Sequence, residues 1–170
     1  LHNDFFSGND KGWQFILRHQ WIGAWTRNEK RVIFEKIRNS LIPLEGADDF
    51  VVLVQEIGDA DYVLLGEASH GTSEFYTWRA ELSKKLITEK EFSFIAVEGD
   101  WPSCYTLNRY VKQYAGAAPN AREALRDYYR WPTWMWANEQ ILQFTEWLYA
   151  YNKSQSKKNK VGFYGILATK

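Results

Sequence analysis

Apolar positions along this chain change period several times, and each change marks an element. In "NEKRVIFEKIRNSLIPL", which begins at Asn28, Ile33, Phe34, Ile37 and Leu41 recur at helical spacing until Pro43 stops the run. "ADDFVVLVQEIGDA" predicts a second helix, with Asp48 or Asp49 near its N-terminus and Gly58 placed to end it. The pattern then shifts. "DYVLLGE" is short, apolar and bounded by turn residues, which predicts a buried strand near 61–67. "TSEFYTWRAELSKKLITEK" returns to the helical period, with Thr72 or Ser73 as N-cap, Glu74 in the first turn, and an apolar stripe of Phe75, Trp78, Leu82 and Leu86.

The second half repeats the alternation. "FSFIAVEG" predicts a strand near 93–98, and "PSCYTLNRYVKQYAG" a helix with Pro102 in its first turn and Gly116 at its end. "NAREALRDYYRW" and "WANEQILQFTEWLYAYN" predict two more helices flanking the aromatic segment "WPTWMW". "KSQSKKNK" is a solvated loop, and "KVGFYG" predicts a third strand near 160–165. Residues 1–27 carry Trp13, Trp21 and Trp25 without clean periodicity and form an irregular N-terminal segment ahead of a domain over 28–170. Strands separated by helices imply an α/β fold, a mostly parallel sheet with helices packed on it. Ligands of such sheets bind beyond the carboxyl ends of the strands, where Glu67 and Glu98 fall.

Charge and composition narrow the function. Lys+Arg and Asp+Glu both number 21, so no basic excess supports a nucleic-acid partner. Aromatic residues make up 17%, with nine Trp, which suits either an aromatic-lined pocket or wide packed interfaces. The single cysteine, Cys104, excludes an intrachain disulfide and is read as a small buried residue in a reducing compartment, the cytoplasm. No apolar stretch approaches the ~20 residues of a membrane span, and "LHNDFFSGND" lacks the pattern of a signal peptide. The chain starts at Leu1 and its one Met is Met135, so either the start codon was not read as Met or this is a piece of something longer.

The candidate chemistry gathers at the predicted strand ends. His70 sits in a strand-to-helix turn, where the helix N-terminus favours a neutral ring able to accept a proton. Glu67 or Glu98 beside it would orient the ring and stabilise its charged form. Two readings of His70 stand: a general base held by an acid, or a residue that caps the helix or fills the turn. Arg79 lies on the flank of the Phe75–Leu86 stripe, where it either snorkels outward or meets an acid among Glu67, Glu74 and Glu98. In "AVEGDW", Gly99 between Glu98 and Asp100 marks a sharp turn with close backbone approach. Asp100, Trp101, Trp131 and Trp134, with Glu74, are candidate substrate contacts; the tryptophans of "WPTWMW" are otherwise core.

Two other chemistries compete. "EASHG" resembles a nucleophile elbow around Ser69, but Glu67 stands where that turn needs a small residue, and the triad of that fold needs a later histidine than His70, the last in the chain. Glu67, His70 and Glu98 also offer one nitrogen and two carboxylates, a donor set for iron, manganese or zinc. The remaining histidines, His2 and His19, lie in the irregular start, so no metal or other cofactor is expected.

"LLGEASHGTSEFYTWRAELSKKLI", "FIAVEGDWPSCYTLNRYV", "RWPTWMWAN" and "KVGFYG", in this order over roughly Leu41 to Gly165, resemble the erythromycin esterase family, especially its Bacillus-type homologues. The resemblance implies hydrolysis of a carboxylic ester, in the antibiotic-resistance members the macrolactone of erythromycin. It implies that the histidine of the GE-x-x-HG motif, here His70, is the general base that activates water, and that Glu67, Arg79 and Glu98 are its functional neighbours. Family members are much longer, and after "GFYG" they usually continue with an aspartate where this chain reads "ILATK". The chain therefore reads as an N-terminal part, its fold incomplete relative to the full family fold. The expected partner is a small-molecule ester, with self-association through an exposed sheet edge as a further expectation. The alternatives are a metal-dependent hydrolase on the same residues and an inactive homologue serving as an interaction module.

Overall fold

The computed structural model describes residues 26–41, 46–66, 70–129 and 133–167. The expected irregular segment lies outside these residues apart from its last two positions. The chain divides into two compact units, 1–43 and 44–170.

The first unit contributes helix α1, Arg27–Ser40. Thr26 and Glu29 form a capping box: the Glu29 carboxylate accepts from the Thr26 backbone N–H at 2.8 Å, and the Thr26 hydroxyl accepts from the Glu29 N–H at 3.3 Å. No residue of α1 is buried.

In the second unit, helix α2 (Phe50–Ile57) follows a 3-10 turn at Ala47–Asp49 and ends at Gly58, whose positive φ of 55° suits a residue without a Cβ. Phe50 and Val54 bury against Leu82 and Leu86 of helix α3, Ser73–Lys90, with Trp78 edge-on to Phe50 at 5.3 Å. The sequence shows one stripe on α3, and the structure uses two. Tyr76 and Ile87 lie roughly a third of a turn round the helix from the first stripe and join a second, larger core. α3 is thus wedged between two clusters.

The strand expected near 61–67 is not formed over its described part. Residues 62–66 have no regular secondary structure, and Leu64 is 91% exposed. Val63 and Leu65 pack partly buried on the α2–α3 cluster, but the segment has no ladder partner among the described residues, and an apolar run without one is not a strand.

The described sheet has two strands, β1 (Phe94–Asp100) and β2 (Gly162–Leu167), paired in parallel from Phe94↔Gly162 to Val97↔Gly165. The crossover between them carries α4 (Trp101–Val111), α5 (Ala121–Leu125) and α6 (Glu139–Lys153), as a parallel connection requires. These give the mixed α/β fold read from the alternating pattern. Val97 and Phe163 face a core of Cys104, Leu107, Val111, Ile141, Phe144 and Leu148, while Phe94, Ala96, Glu98 and Ile166 are exposed. Burying Leu107 and Leu148 completely stabilises the fold by about 1.5–3 kcal/mol each.

Two buried asparagines seat β2. The Asn152 amide donates to the carbonyls of Val111 and Val161, both at 2.9 Å, and its oxygen accepts the Val161 N–H at 2.8 Å. Asn108 accepts the Phe163 N–H at 2.9 Å. Such direct bonds remove the cost of burying backbone groups where the strand begins.

Other boundaries shift for local reasons. α5 is shorter than expected because the chain after Leu125 is held by α4: Ser103 donates to the Asp127 carbonyl at 2.7 Å, and the Tyr128 hydroxyl donates to Cys104 Sγ at 3.3 Å. α4 ends at Val111, before Gln113 and Gly116 take positive φ. α6 starts at Glu139 because Asn138 caps it, accepting the Ile141 N–H at 2.9 Å. No helix among the described residues is long and apolar enough to cross a membrane.

Candidate functional site

β1 runs without a loop into α4, so Glu98, Gly99, Asp100 and Trp101 pass from a strand end to a helix start in four residues. A register irregularity falls between Val97 and Asp100, and Asp100 is the N-cap of α4. Gly165 is a steric requirement here, and Gly99 is tightly packed. A Cβ on Gly165 would overlap the Gly99 carbonyl oxygen, and one on Gly99 would come within 3.0 Å of Cys104 Sγ and 3.2 Å of the Trp136 ring nitrogen. The close approach expected at Gly99 is present.

His70 lies in the exposed turn before α3, and its carbonyl oxygen accepts the Tyr76 hydroxyl at 2.8 Å. Thr72 is the N-cap of α3, and Glu74 is exposed in its first turn. Arg79 is half-buried with its guanidinium 5.0 Å from the centroid of the Tyr76 ring, a cation–π arrangement. Trp136 meets that same ring edge-on at 6.4 Å, packs against Phe163 at 6.2 Å, and donates its Nε1–H to the Glu98 carbonyl at 2.9 Å. The Glu98 side chain is exposed.

Tyr76 and Trp136 therefore link the His70 turn, Arg79 and the Glu98 strand end. Neither was a candidate from sequence. Tyr76 had a signal, since it sits with Ala80 and Ile87 on the second stripe of α3. Trp136 had none beyond its place in "WPTWMW".

The other candidates are distributed differently. Trp101, 48% exposed, stacks on Tyr105 at 5.8 Å and on Tyr164 at 6.2 Å, with Phe94 edge-on to Tyr164. Trp134 is exposed in the 3-10 turn Thr133–Met135, where its carbonyl accepts the Asn138 amide at 3.0 Å. Glu67 and Trp131 lie outside the described residues. Among the described residues no three His, Cys, Asp or Glu side chains are grouped to hold a metal ion, and Glu67 of the alternative Glu67–His70–Glu98 set is not one of them.

Cys104 is fully buried, and burial pushes its thiol up, opposed by the Tyr128 hydrogen bond and reinforced by the Asp100 charge. It is a protonated packing residue, and a protonated thiol is not the nucleophilic form. A depression of about 430 Å³ between α5 and the start of α6 is lined by Arg122, Leu125, Arg126, Tyr128, Asn138 and Leu142, among others; no described candidate lines it.

Comparison with known proteins finds relatives of this chain. Residues 87–166 match the family model for erythromycin esterase. An erythromycin esterase type II of Escherichia coli is 31% identical over 124 residues, covering 73% of this chain and 27% of the relative. Among solved structures, a succinoglycan biosynthesis protein is similar with a TM-score of 0.67 and 32% identity, over 84% of this chain and 35% of that one. A second, from Bacillus cereus, is similar with a TM-score of 0.59 and 28% identity, over 73% of this chain and 29% of that one. The chain spans about a quarter to a third of the length of these relatives.

Proposed function

We propose, on the premise that residues 87–166 belong to the erythromycin esterase family, that this chain carries part of the machinery of a carboxylic ester hydrolase acting through activated water. His70 takes a proton from water as the oxygen attacks the ester carbonyl carbon. The imidazolium then returns the proton to the departing alkoxide, so no net proton is consumed and no covalent enzyme intermediate forms. Glu67 or Glu98 orients the ring, and Arg79 holds a carboxylate or stabilises the oxyanion. General base catalysis of this kind contributes ~10²–10⁴-fold, and substrate positioning supplies much of the rest.

The observation that carries this reading is the meeting at Tyr76: its hydroxyl on the His70 carbonyl, Arg79 over its ring, and Trp136 linking that ring to the Glu98 carbonyl. The substrate class is a macrolide lactone or related ester, with antibiotic resistance as the role and the cytoplasm as the setting. The test is hydrolysis of erythromycin and of a simple aryl ester by wild type and His70→Ala, with and without chelator. Turnover lost in H70A and unaffected by chelator supports the reading. Turnover lost to chelator and restored by added metal moves the assignment to a metal held by Glu67, His70 and Glu98.

A second reading is an interaction module. It is favoured by the exposed apolar side chains Phe94, Trp101, Tyr105 and Ile166, since parallel sheets are almost always covered on both faces. Concentration-dependent self-association without ester turnover supports it.

A further inference from the structure

The ring of Tyr76 is 4% exposed, so packing alone accounts for a phenyl group at this position. It does not account for the hydroxyl. That group reaches back six residues to the His70 carbonyl and fastens the histidine turn onto α3. Trp136 is built the same way. Its ring touches Tyr76 and Phe163, while its one polar atom goes to the Glu98 carbonyl. The strand end meets that indole closely: a Cβ on Gly99 would fall 3.2 Å from Nε1, tighter than side-chain contacts normally allow. Two partly apolar side chains in mutual contact thus each send their single polar atom to a backbone carbonyl, one to His70 and the other to Glu98. Tyr76 is buried and Trp136 partly buried, and nothing in packing dictates that their polar atoms bond to these two residues.

We propose that Tyr76 and Trp136 are positioning residues that set the separation of His70 from Glu98. What that separation serves rests on the function proposed above; the mechanical coupling does not. Their contribution is to geometry, and displacement of a reacting group by ~1 Å costs up to ~10²-fold in rate.

The test uses the 170-residue chain as wild type, Tyr76→Phe, Trp136→Phe and His70→Ala. Both aromatic replacements keep a ring and remove the polar atom, and circular dichroism and thermal melting check that they fold. Ester turnover is measured beside the NMR signals of the His70 imidazole and of the Gly71 and Gly99 amides. In Y76F the His70 and Gly71 signals should move, and kcat should fall roughly 10- to 100-fold with KM changed by no more than about twofold. In W136F the Gly99 amide, which shares a peptide group with the Glu98 carbonyl, should move, and the His70 signals with it through Tyr76. Wild-type His70 signals and wild-type kcat in a folded Y76F overturn the proposal. Turnover retained in H70A defeats the functional reading alone, and moved His70 signals in Y76F would still support positioning. If wild type turns over neither ester, the NMR comparison decides by itself, and unmoved signals in both variants overturn the coupling.

Discussion

Two apolar runs in the 44–170 unit, each ending in glycine, meet opposite fates. "VGFYG" at 161–165 enters β2, with Val161 and Phe163 each 2% exposed. "YVLLG" at 62–66 has no regular structure, with Tyr62 79% and Leu64 91% exposed. Their patterns are similar; their surroundings are not. The first has β1 as a ladder partner, Asn108 and Asn152 to hold its backbone, and helices beneath it. The second has helix side chains under Val63 and Leu65. Strand formation here is decided by what the run can pair with, and the run without a ladder partner among the described residues is the one leading to the GE-x-x-HG motif.

The contrast can be broken by substitution. Phe163→Ala should destabilise the chain by about 3–5 kcal/mol, whereas Leu64→Ala should stay within about 0.5 kcal/mol, read as urea midpoints. A Leu64→Ala loss as large as that of Phe163→Ala would mean that the 62–66 run is buried in solution. Asn152→Ala comes next, leaving the backbone groups of Val111 and Val161 without their partner. It should cost about 1–3 kcal/mol, and hydrogen exchange should rise first at β2.

The smallest effect is on pH dependence. Burial raises the pKa of Cys104, Tyr110 and Tyr128 above their usual 9.0 and 10.0, so the unfolded chain releases these protons at lower pH than the folded one. Their contribution to stability is whole below those usual values and declines as pH rises past them. The urea midpoint should therefore be lower at about pH 10 than at about pH 7, where these groups are protonated in both states. A midpoint that rises instead would contradict the burial of these three groups.

What the sequence made legible follows from the same physics. α3, α4 and α6 were readable because long helical runs leave little choice, and "FIAVEGD" forms the expected strand, with Gly99 inside it at a close approach rather than in a sharp turn. That the run at 62–66 has no ladder partner among the described residues was not readable, because pairing is a property of the neighbours. The early end of α5 depends on Ser103 and Cys104, more than 20 residues away. At the site, His70, Arg79 and Glu98 stood out by residue type. Tyr76 and Trp136 did not, since an aromatic on a buried face looks the same whether or not its polar atom has an address. The resemblance to the erythromycin esterase family, carried by four ordered motifs, agrees with the family match over 87–166.

The proposed role of His70 as the base of an ester hydrolase is tested most directly by the rate of ester hydrolysis by folded wild type beside folded H70A. Wild type should hydrolyse the ester, and H70A should lose ~10²-fold or more in rate at an unchanged melting temperature. Equal rates in the two folded proteins would contradict it.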